Sequence, residues 1–184
     1  MKKLNFLSIL VMMFSLSLLS TASAKTSLAP TANTDIKWTT VDNAISDAKS
    51  SNKKFILIDL YTDWCGWCKK MDENTFTDAN VQSLLNANFT TVKFNAETAD
   101  VVSFNGKSYS FAKTGARGAN QLAIDLGSVG GRLGYPTLVV LDANGNKLQS
   151  FAGYKDVETL TTILKYFQSG VYKTMDFQQF QSGQ

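Results

Sequence analysis

The chain contains the segment Phe55-Ile-Leu-Ile-Asp-Leu-Tyr-Thr-Asp-Trp-Cys-Gly-Trp-Cys-Lys-Lys70, which carries the strongest signal for both its fold and its chemistry. Residues 54–61 form an almost continuous apolar run, which is typical of a strand buried on both faces of a sheet. The motif Cys-x-x-Cys of Cys65 and Cys68 follows at once and leads into a helical segment. The first thiol is therefore expected at a helix N-terminus, where free N–H groups and the helix dipole lower its pKa. Thiol–disulfide exchange requires the thiolate that this environment favours.

Other interpretations of the cysteine pair are a structural disulfide, part of a zinc or copper site, and two inert core thiols. Bridging cysteines only three positions apart removes little chain entropy, which disfavours a purely structural role. The chain has two cysteines and no histidine, so a four-thiolate zinc site or a Cys–His nucleophile cannot form within it. We therefore predict no metal and no cofactor beyond a redox-active disulfide, Cys65–Cys68. A copper(I) module stays open as an alternative, with Met71 as a nearby soft ligand.

The N-terminus has the pattern of a secretory signal. Two lysines precede an apolar stretch over residues 4–19, and the small residues Ser20-Thr-Ala-Ser-Ala24 follow. This pattern predicts a signal peptide over 1–24, cleaved after Ala24, and a periplasmic or otherwise exported protein; an uncleaved membrane anchor is the alternative. Residues 25–34 are predicted to be a linker. The net charge of +3 falls to about +1 without Lys2 and Lys3, so no nucleic-acid partner is expected.

Strand and helix patterns alternate along the rest of the chain. The expected strands cover residues 36–40, 54–61, 89–95, 135–142 and 147–151, and the expected helices cover 41–50, 78–86 and 156–167. Asn144-Gly145 is the strongest two-residue hairpin signal. The order predicts one α/β domain over 35–170, a mixed central sheet with helices on both faces. Aromatic spacing in the tail, 171–184, predicts that it docks on this domain.

The quoted segment resembles the active-site strand and helix of the thioredoxin superfamily. Asp59 matches a buried carboxylate of that family, and its position in an apolar strand predicts a raised pKa. Lys93 matches the lysine that pairs with this carboxylate, Tyr135-Pro136-Thr137 matches the cis-proline loop, and Gly153 matches a glycine after the last hairpin strand. Residues 59–65 and 74–81 are similar to the C-terminal periplasmic domain of the thiol–disulfide interchange protein and to small exported relatives.

The resemblance implies a thioredoxin-like fold and an exported thiol–disulfide oxidoreductase that reduces client disulfides by dithiol exchange. Its partners would be exported proteins with disulfides and a membrane thiol–disulfide electron donor. There are two alternatives. One is a disulfide oxidase or isomerase, and the other is a thioredoxin-fold module that binds copper or senses redox state. The implied catalytic residues are Cys65, Cys68, Asp59 and Lys93. The implied client-contacting residues are Trp64, Gly66, Trp67, Tyr135, Pro136 and Thr137, with Gly66 allowing a tight turn.

Two features depart from the family pattern. Trp67 replaces the usual proline between the cysteines, and residues at that place tune the reduction potential. An insertion over 96–134 precedes the cis-proline strand, and only residues 120–126 within it show a helical pattern. Either this insertion forms one side of the site and selects partners, or it is a surface addition without a role.

Overall fold

A five-stranded mixed sheet lies at the centre of the computed structural model, which describes residues 35–114 and 117–183. The predicted signal peptide and linker, residues 1–34, lie outside the described residues. In chain order the elements are β1 (Trp38–Thr39), α1 (Ala44–Ser50), β2 (Phe55–Tyr61), α2 (Gly66–Lys70), α3 (Ala79–Asn88), β3 (Phe89–Asn95), β4 (Val102–Phe104), β5 (Lys107–Tyr109), β6 (Phe111–Thr114), β7 (Arg117–Asn120), α4 (Gln121–Gly127), β8 (Thr137–Asp142), β9 (Lys147–Ala152), α5 (Val157–Gln168) and α6 (Phe177–Ser182).

The strand order in the central sheet is β1-β3-β2-β8-β9. The first three strands are parallel, and β8 and β9 run antiparallel to their neighbours. The apolar run of the quoted segment forms the middle strand, β2, in which Ile56, Leu57, Ile58 and Leu60 are fully buried. This burial on both faces explains why the run lacks the alternation of a half-exposed strand. The predicted fold class, a mixed α/β sheet with flanking helices, is confirmed.

Two apolar cores lie on opposite faces of the sheet. One is built from Leu57 with Leu85 of α3 and Leu160 and Phe167 of α5. The tail packs on this face, where the ring of Phe177 lies 5.0 Å from that of Phe151. The other core joins Ile58 and Phe94 to α1 and to the insertion, and its members include Ala44, Val102, Phe104, Leu122 and Leu126. None of the helices within 35–114 and 117–183 is long and apolar enough to cross a bilayer.

The insertion, residues 96–134, holds two hairpins that the sequence pattern did not predict, β4–β5 and β6–β7, followed by α4. Val102 and Phe104 of the first hairpin are buried in the core that contains Phe94. Asn120 caps α4 by accepting a hydrogen bond from the backbone N–H of Leu122. The insertion is therefore an integral part of the fold rather than a surface addition.

The prediction of a two-residue turn at Asn144-Gly145 is wrong, although the hairpin itself exists. Strand β8 ends at Asp142 and β9 begins at Lys147, and Asp142 Oδ1 accepts hydrogen bonds from the N–H groups of Asn144 and Asn146. The short polar side chain of Asp142 thereby organises a longer turn. A two-residue turn occurs instead at Asn105-Gly106 in the insertion, where both residues have positive φ, 50° and 75°. This is the backbone that an Asn-Gly pair favours.

Candidate active site

A disulfide joins Cys65 and Cys68 where β2 passes into α2. Cys65 is the N-cap of the helix, and its Sγ accepts a hydrogen bond from the backbone N–H of Cys68 at 3.1 Å. The backbone N–H of Cys65 in turn donates to the carbonyl of Thr62 at 3.1 Å. The helix continues beyond α2 as a π-helical turn over Met71–Thr75. Cys65 Sγ therefore lies where the start of a helix stabilises negative charge.

The two cysteines are buried to a similar extent. Cys65 is 4% exposed and Cys68 is 2% exposed. The helix start, rather than exposure, distinguishes the two sulfurs, because only Cys65 occupies the capping position.

Gly66 does not have the role that we predicted for it. A Cβ atom at this position would meet no other atom within 4 Å, and the φ angle of Gly66 is not positive. A side chain fits here without strain, so the tight turn does not require glycine. Gly66 is exposed beside the disulfide, which leaves a contact role for it as a prediction.

Asp59 lies in the middle of β2 and is 1% exposed. Its Oδ2 accepts a hydrogen bond from Lys93 Nζ at 2.7 Å, whereas Oδ1 has no hydrogen-bond partner among the described residues. Burial raises the pKa of Asp59 to about 6, although the charge of Lys93 and the hydrogen bond from it act in the opposite direction. A carboxyl with this pKa exchanges a proton readily near neutral pH.

Lys93 is the register partner of Asp59 on the neighbouring strand β3. It also forms an ion pair with Asp72, which lies in the π-helical turn. Its Nζ lies 5.1–5.3 Å from the ring centroids of Trp38, Tyr61 and Phe76. Burial lowers the pKa of Lys93, but the attraction of Asp59 and then Asp72 outweighs it, and the net shift is upward.

Asp72 is a member of this cluster that sequence reasoning missed. It lies four residues after Cys68, one helical turn further on, so the sequence carried a signal for it. Its side chain is 44% exposed, while that of Lys93 is 23% exposed. The cluster therefore leads from a fully buried carboxylate to a carboxylate in contact with solvent.

Two exposed tryptophans flank the disulfide. Trp64 is 55% exposed and Trp67 is 57% exposed. The ring of Trp67 lies 5.4 Å from that of Tyr154, and Lys70 Nζ lies 5.1 Å from the Trp67 ring centroid. On the other side, the ring of Trp64 meets the ring of Tyr135 edge-on at 5.9 Å. The two aromatic side chains give the disulfide an apolar rim suited to contact with another polypeptide.

The contact between Trp64 and Tyr135 brings the proline loop beside the disulfide. The Tyr135–Pro136 peptide bond is cis, and the carbonyl of Pro136 accepts a hydrogen bond from Gly153, whose φ is +85°. Pro136 is buried and Tyr135 is half-buried. Thr137 differs from its predicted contact role, because it is fully buried and its hydroxyl donates to the carbonyl of Gly134. Its side chain shapes the loop and does not face a client.

Within the described part of the chain, no group of three or more cysteine, aspartate or glutamate side chains is arranged to hold a metal ion. The two thiols near the site are instead joined in the disulfide, and the carboxylates of Asp59 and Asp72 pair with Lys93.

Comparison with characterised proteins finds relatives over most of the folded region. The chain is 31% identical over 126 residues to the thiol:disulfide interchange protein DsbD of Ralstonia nicotianae, covering 68% of this chain and 17% of that protein. It is 28% identical to the DsbD of Cronobacter sakazakii, covering 67% of this chain and 18% of that protein. The chain thus spans less than a fifth of the length of either relative.

Solved structures show the same fold at lower identity. A thioredoxin-fold protein from Helicobacter pylori superposes with a TM-score of 0.53 at 16% identity, covering 72% of this chain and 80% of that one. A thioredoxin from Thermus thermophilus gives a TM-score of 0.52 at 16% identity, covering 73% of this chain and 88% of that one. These structures support the fold.

The family assignment rests on the whole folded region. Residues 41–168 match the sequence pattern of the thioredoxin-like domain, from just before α1 through the end of α5. The chain therefore belongs to the thioredoxin-like domain family, and its Cys-x-x-Cys pair places it among the thiol–disulfide oxidoreductases of that family.

Proposed function

We propose that the chain is an exported reductase that transfers two electrons from Cys65 and Cys68 to disulfides in client proteins. The observation that carries this proposal is the position of Cys65 Sγ, which caps a helix and accepts a backbone N–H. An environment that stabilises charge on this sulfur makes the thiolate available at neutral pH. The cysteine pair is thus arranged for exchange chemistry, and bridging it closes too short a loop to add much stability.

In the first step the Cys65 thiolate attacks one sulfur of a client disulfide. A bond forms between Cys65 Sγ and that sulfur, the client S–S bond breaks, and the other client sulfur leaves as a thiolate that takes a proton from water. The exposed rings of Trp64 and Trp67 provide the surface on which the client rests during this step. The product is a mixed disulfide between the two chains.

In the second step Cys68 resolves the mixed disulfide. Its thiol loses a proton to the carboxylate of Asp59, and the resulting thiolate attacks Cys65 Sγ. The intermolecular S–S bond breaks, the second client sulfur leaves as a thiolate that takes the proton held by Asp59, and the disulfide Cys65–Cys68 forms. The client has gained two electrons and two protons, and Lys93 balances the charge of Asp59 through their 2.7 Å hydrogen bond.

The disulfide must then be reduced again for turnover. We assign this step to a membrane-bound dithiol donor, because an exported protein works in an oxidising compartment without a cytosolic thiol pool. The name of the two DsbD relatives, thiol:disulfide interchange protein, supports exchange between protein disulfides as the reaction class. Export itself is proposed from the signal pattern of residues 1–24.

Equilibration of the protein with glutathione tests the direction of electron flow. We expect a reduction potential near the thioredoxin value of about −270 mV, together with dithiothreitol-coupled reduction of insulin. A potential less negative than about −180 mV would identify an oxidase or isomerase instead.

Titration of the reduced protein with copper(I) tests the alternative of a copper-binding module. A tight one-to-one complex combined with no reduction of insulin would establish the binding module.

A further inference from the structure

The insertion forms a groove beside the disulfide that the proposed mechanism does not use. Two adjoining cavities, of about 400 and 450 Å³, share the lining residues Trp64, Glu97, Arg117 and Gly118. The smaller cavity continues to Phe111 and the larger one to Tyr135, so the groove runs away from the proline loop along β6 and β7. Volumes of this size lie in the range of sites that enclose ligands, about 300–1,000 Å³.

The wall of the groove is fixed to the core. Asn120, at the end of β7, is fully buried, and its Nδ2 donates to the carbonyls of Asp100 and Tyr109. Its backbone N–H donates to the carbonyl of Ala96 at 2.7 Å. With every polar group of this side chain engaged, the hairpin that carries Arg117 has a defined position beside the active site.

The insertion also holds Trp64, the residue that precedes the attacking cysteine. Glu97 Oε2 accepts a hydrogen bond from Trp64 Nε1 at 2.8 Å. The guanidinium of Arg117 lies 4.6 Å from the centroid of the indole ring, a cation–π contact. Trp64 nevertheless stays 55% exposed, so these contacts orient the ring and leave much of it open to a client.

The two charged residues of the groove are not equivalent. Glu97 lines both cavities, and its Oε2 accepts the hydrogen bond from the indole N–H of Trp64. Burial and then the negative charge of Glu97 raise the pKa of Tyr135, next to the proline loop, to about 12. Arg117 forms no ion pair with any residue in the described ranges. Phe111, which lines the smaller cavity, is 41% exposed and packs over Gly118, where an added Cβ would lie 2.3 Å from the ring. The cavity lined by Phe111 therefore combines an exposed aromatic ring with Arg117, a cation that has no ion-pair partner in the described ranges. Glu97 lines the same cavity, but its carboxylate is engaged by the indole N–H of Trp64.

We propose that this groove binds an extended segment of the client, with an acidic side chain paired to Arg117 and a bulky apolar side chain in the cavity beside Tyr135. Arg117 is then a specificity-determining residue for the reductase, and the insertion selects clients by the residues near their cysteines. The inference rests on the proposed function for its biological meaning, but the groove and its charge preference are measurable without catalysis.

The test compares two peptides that differ only in charge. Each is a disulfide-linked dimer of a short chain with one cysteine and one phenylalanine, and the flanking residues are aspartates in one peptide and lysines in the other. We expect the protein to reduce the aspartate peptide with a kcat/KM about five- to tenfold higher than that of the lysine peptide at low salt. A ratio of about this size is expected when an exposed ion pair with Arg117 is replaced by repulsion between like charges. Arg117→Gln should bring the ratio close to one, and Arg117→Glu should reverse it. Lys113→Glu, an exposed residue of the same hairpin outside the groove, should keep the ratio.

Calorimetry separates this inference from the reductase proposal. The oxidised protein is titrated with peptides in which serine replaces cysteine, so that no exchange can occur. The same preference for aspartate, lost in Arg117→Gln, is expected in Kd. If neither peptide is reduced but this preference persists, the groove stands and the proposed reduction fails. Equal kcat/KM and Kd for both peptides, or an equal change in Lys113→Glu and Arg117→Glu, overturns the assignment to Arg117.

Discussion

Replacement of Cys65 by serine abolishes insulin reduction, with an expected loss of about a thousandfold or more. The reason is the position of this sulfur at the helix start, where the backbone N–H of Cys68 points at Cys65 Sγ from 3.1 Å. A hydroxyl at the same place stays protonated at neutral pH and cannot attack a client sulfur. Steady-state reduction of insulin with dithiothreitol as donor measures the loss.

Cys68→Ser is the matched variant, because it removes the other sulfur of the same disulfide. It keeps the attacking thiol but cannot resolve the intermediate, so a mixed disulfide with the client accumulates. Mass spectrometry of the protein after mixing with client, without reductant, detects the added mass. Accumulation in Cys65→Ser and not in Cys68→Ser would show that the roles of the two sulfurs are reversed.

Alkylation supplies an independent check on the same assignment. In the reduced protein at neutral pH, Cys65 should react with iodoacetamide faster than free cysteine does, since the helix start favours its thiolate. The two cysteines are buried to a similar extent, so exposure alone cannot produce a large difference in reactivity between them. A Cys65 no more reactive than free cysteine would remove the basis of the mechanism.

The parts of the fold that the sequence predicted well are those in which local pattern and burial agree. The sequence pattern predicts a strand over residues 89–95, and β3 covers Phe89–Asn95. The pairing of β2 with β3 then brings Asp59 opposite Lys93, residues 34 positions apart that only the sheet register brings together. Resemblance to a family supplied this pairing, because strand periodicity alone does not choose which strands are neighbours.

The insertion is where local pattern was least informative. Its strands are three or four residues long, too short to show a period of two. The Asn105-Gly106 pair is the sequence signal for its first hairpin, whereas the same pair at Asn144-Gly145 lies in a longer turn. Trp64, Glu97 and Arg117 meet only in the folded chain, so no spacing in the sequence points to their contact.

Replacement of Asp59 by asparagine has two expected effects of opposite sign, on catalysis and on stability. Resolution of the mixed disulfide at pH 7 should slow by about 100-fold, because Cys68 loses the base that takes its proton. The difference should vanish above about pH 9, where a cysteine thiol ionises without help. Stopped-flow release of client from the preformed mixed disulfide, followed across pH, measures this step directly.

The same substitution should stabilise the oxidised protein at neutral pH. The pKa of Asp59 is about 6 in the folded chain and 3.8 for the ordinary side chain of an unfolded chain, so the folded state binds more protons than the unfolded state between these values. The free energy of unfolding therefore falls as pH rises through this window, by about 3 kcal/mol at most. Asparagine removes this dependence but also weakens the contact with Lys93, so we expect a gain of about 1–2 kcal/mol at pH 7.5 and little difference near pH 4.

Two neighbours of Asp59 provide variants that move its titration in opposite directions. Lys93→Met removes the cation that lowers the pKa of Asp59, so the acidic limb of the pH–rate profile moves to higher pH and the protein loses stability at neutral pH. Asp72→Asn removes a negative charge that raises this pKa and leaves Lys93 to Asp59 alone, so the limb moves to lower pH. If both variants move the acidic limb in the same direction, Lys93 and Asp72 do not set the charge of Asp59. A loss of stability in Asp59→Asn at pH 7.5 would likewise contradict a buried carboxylate with a raised pKa. Opposite shifts would establish that proton transfer at Cys68 is controlled by the cluster that begins at Asp59 and reaches solvent at Asp72.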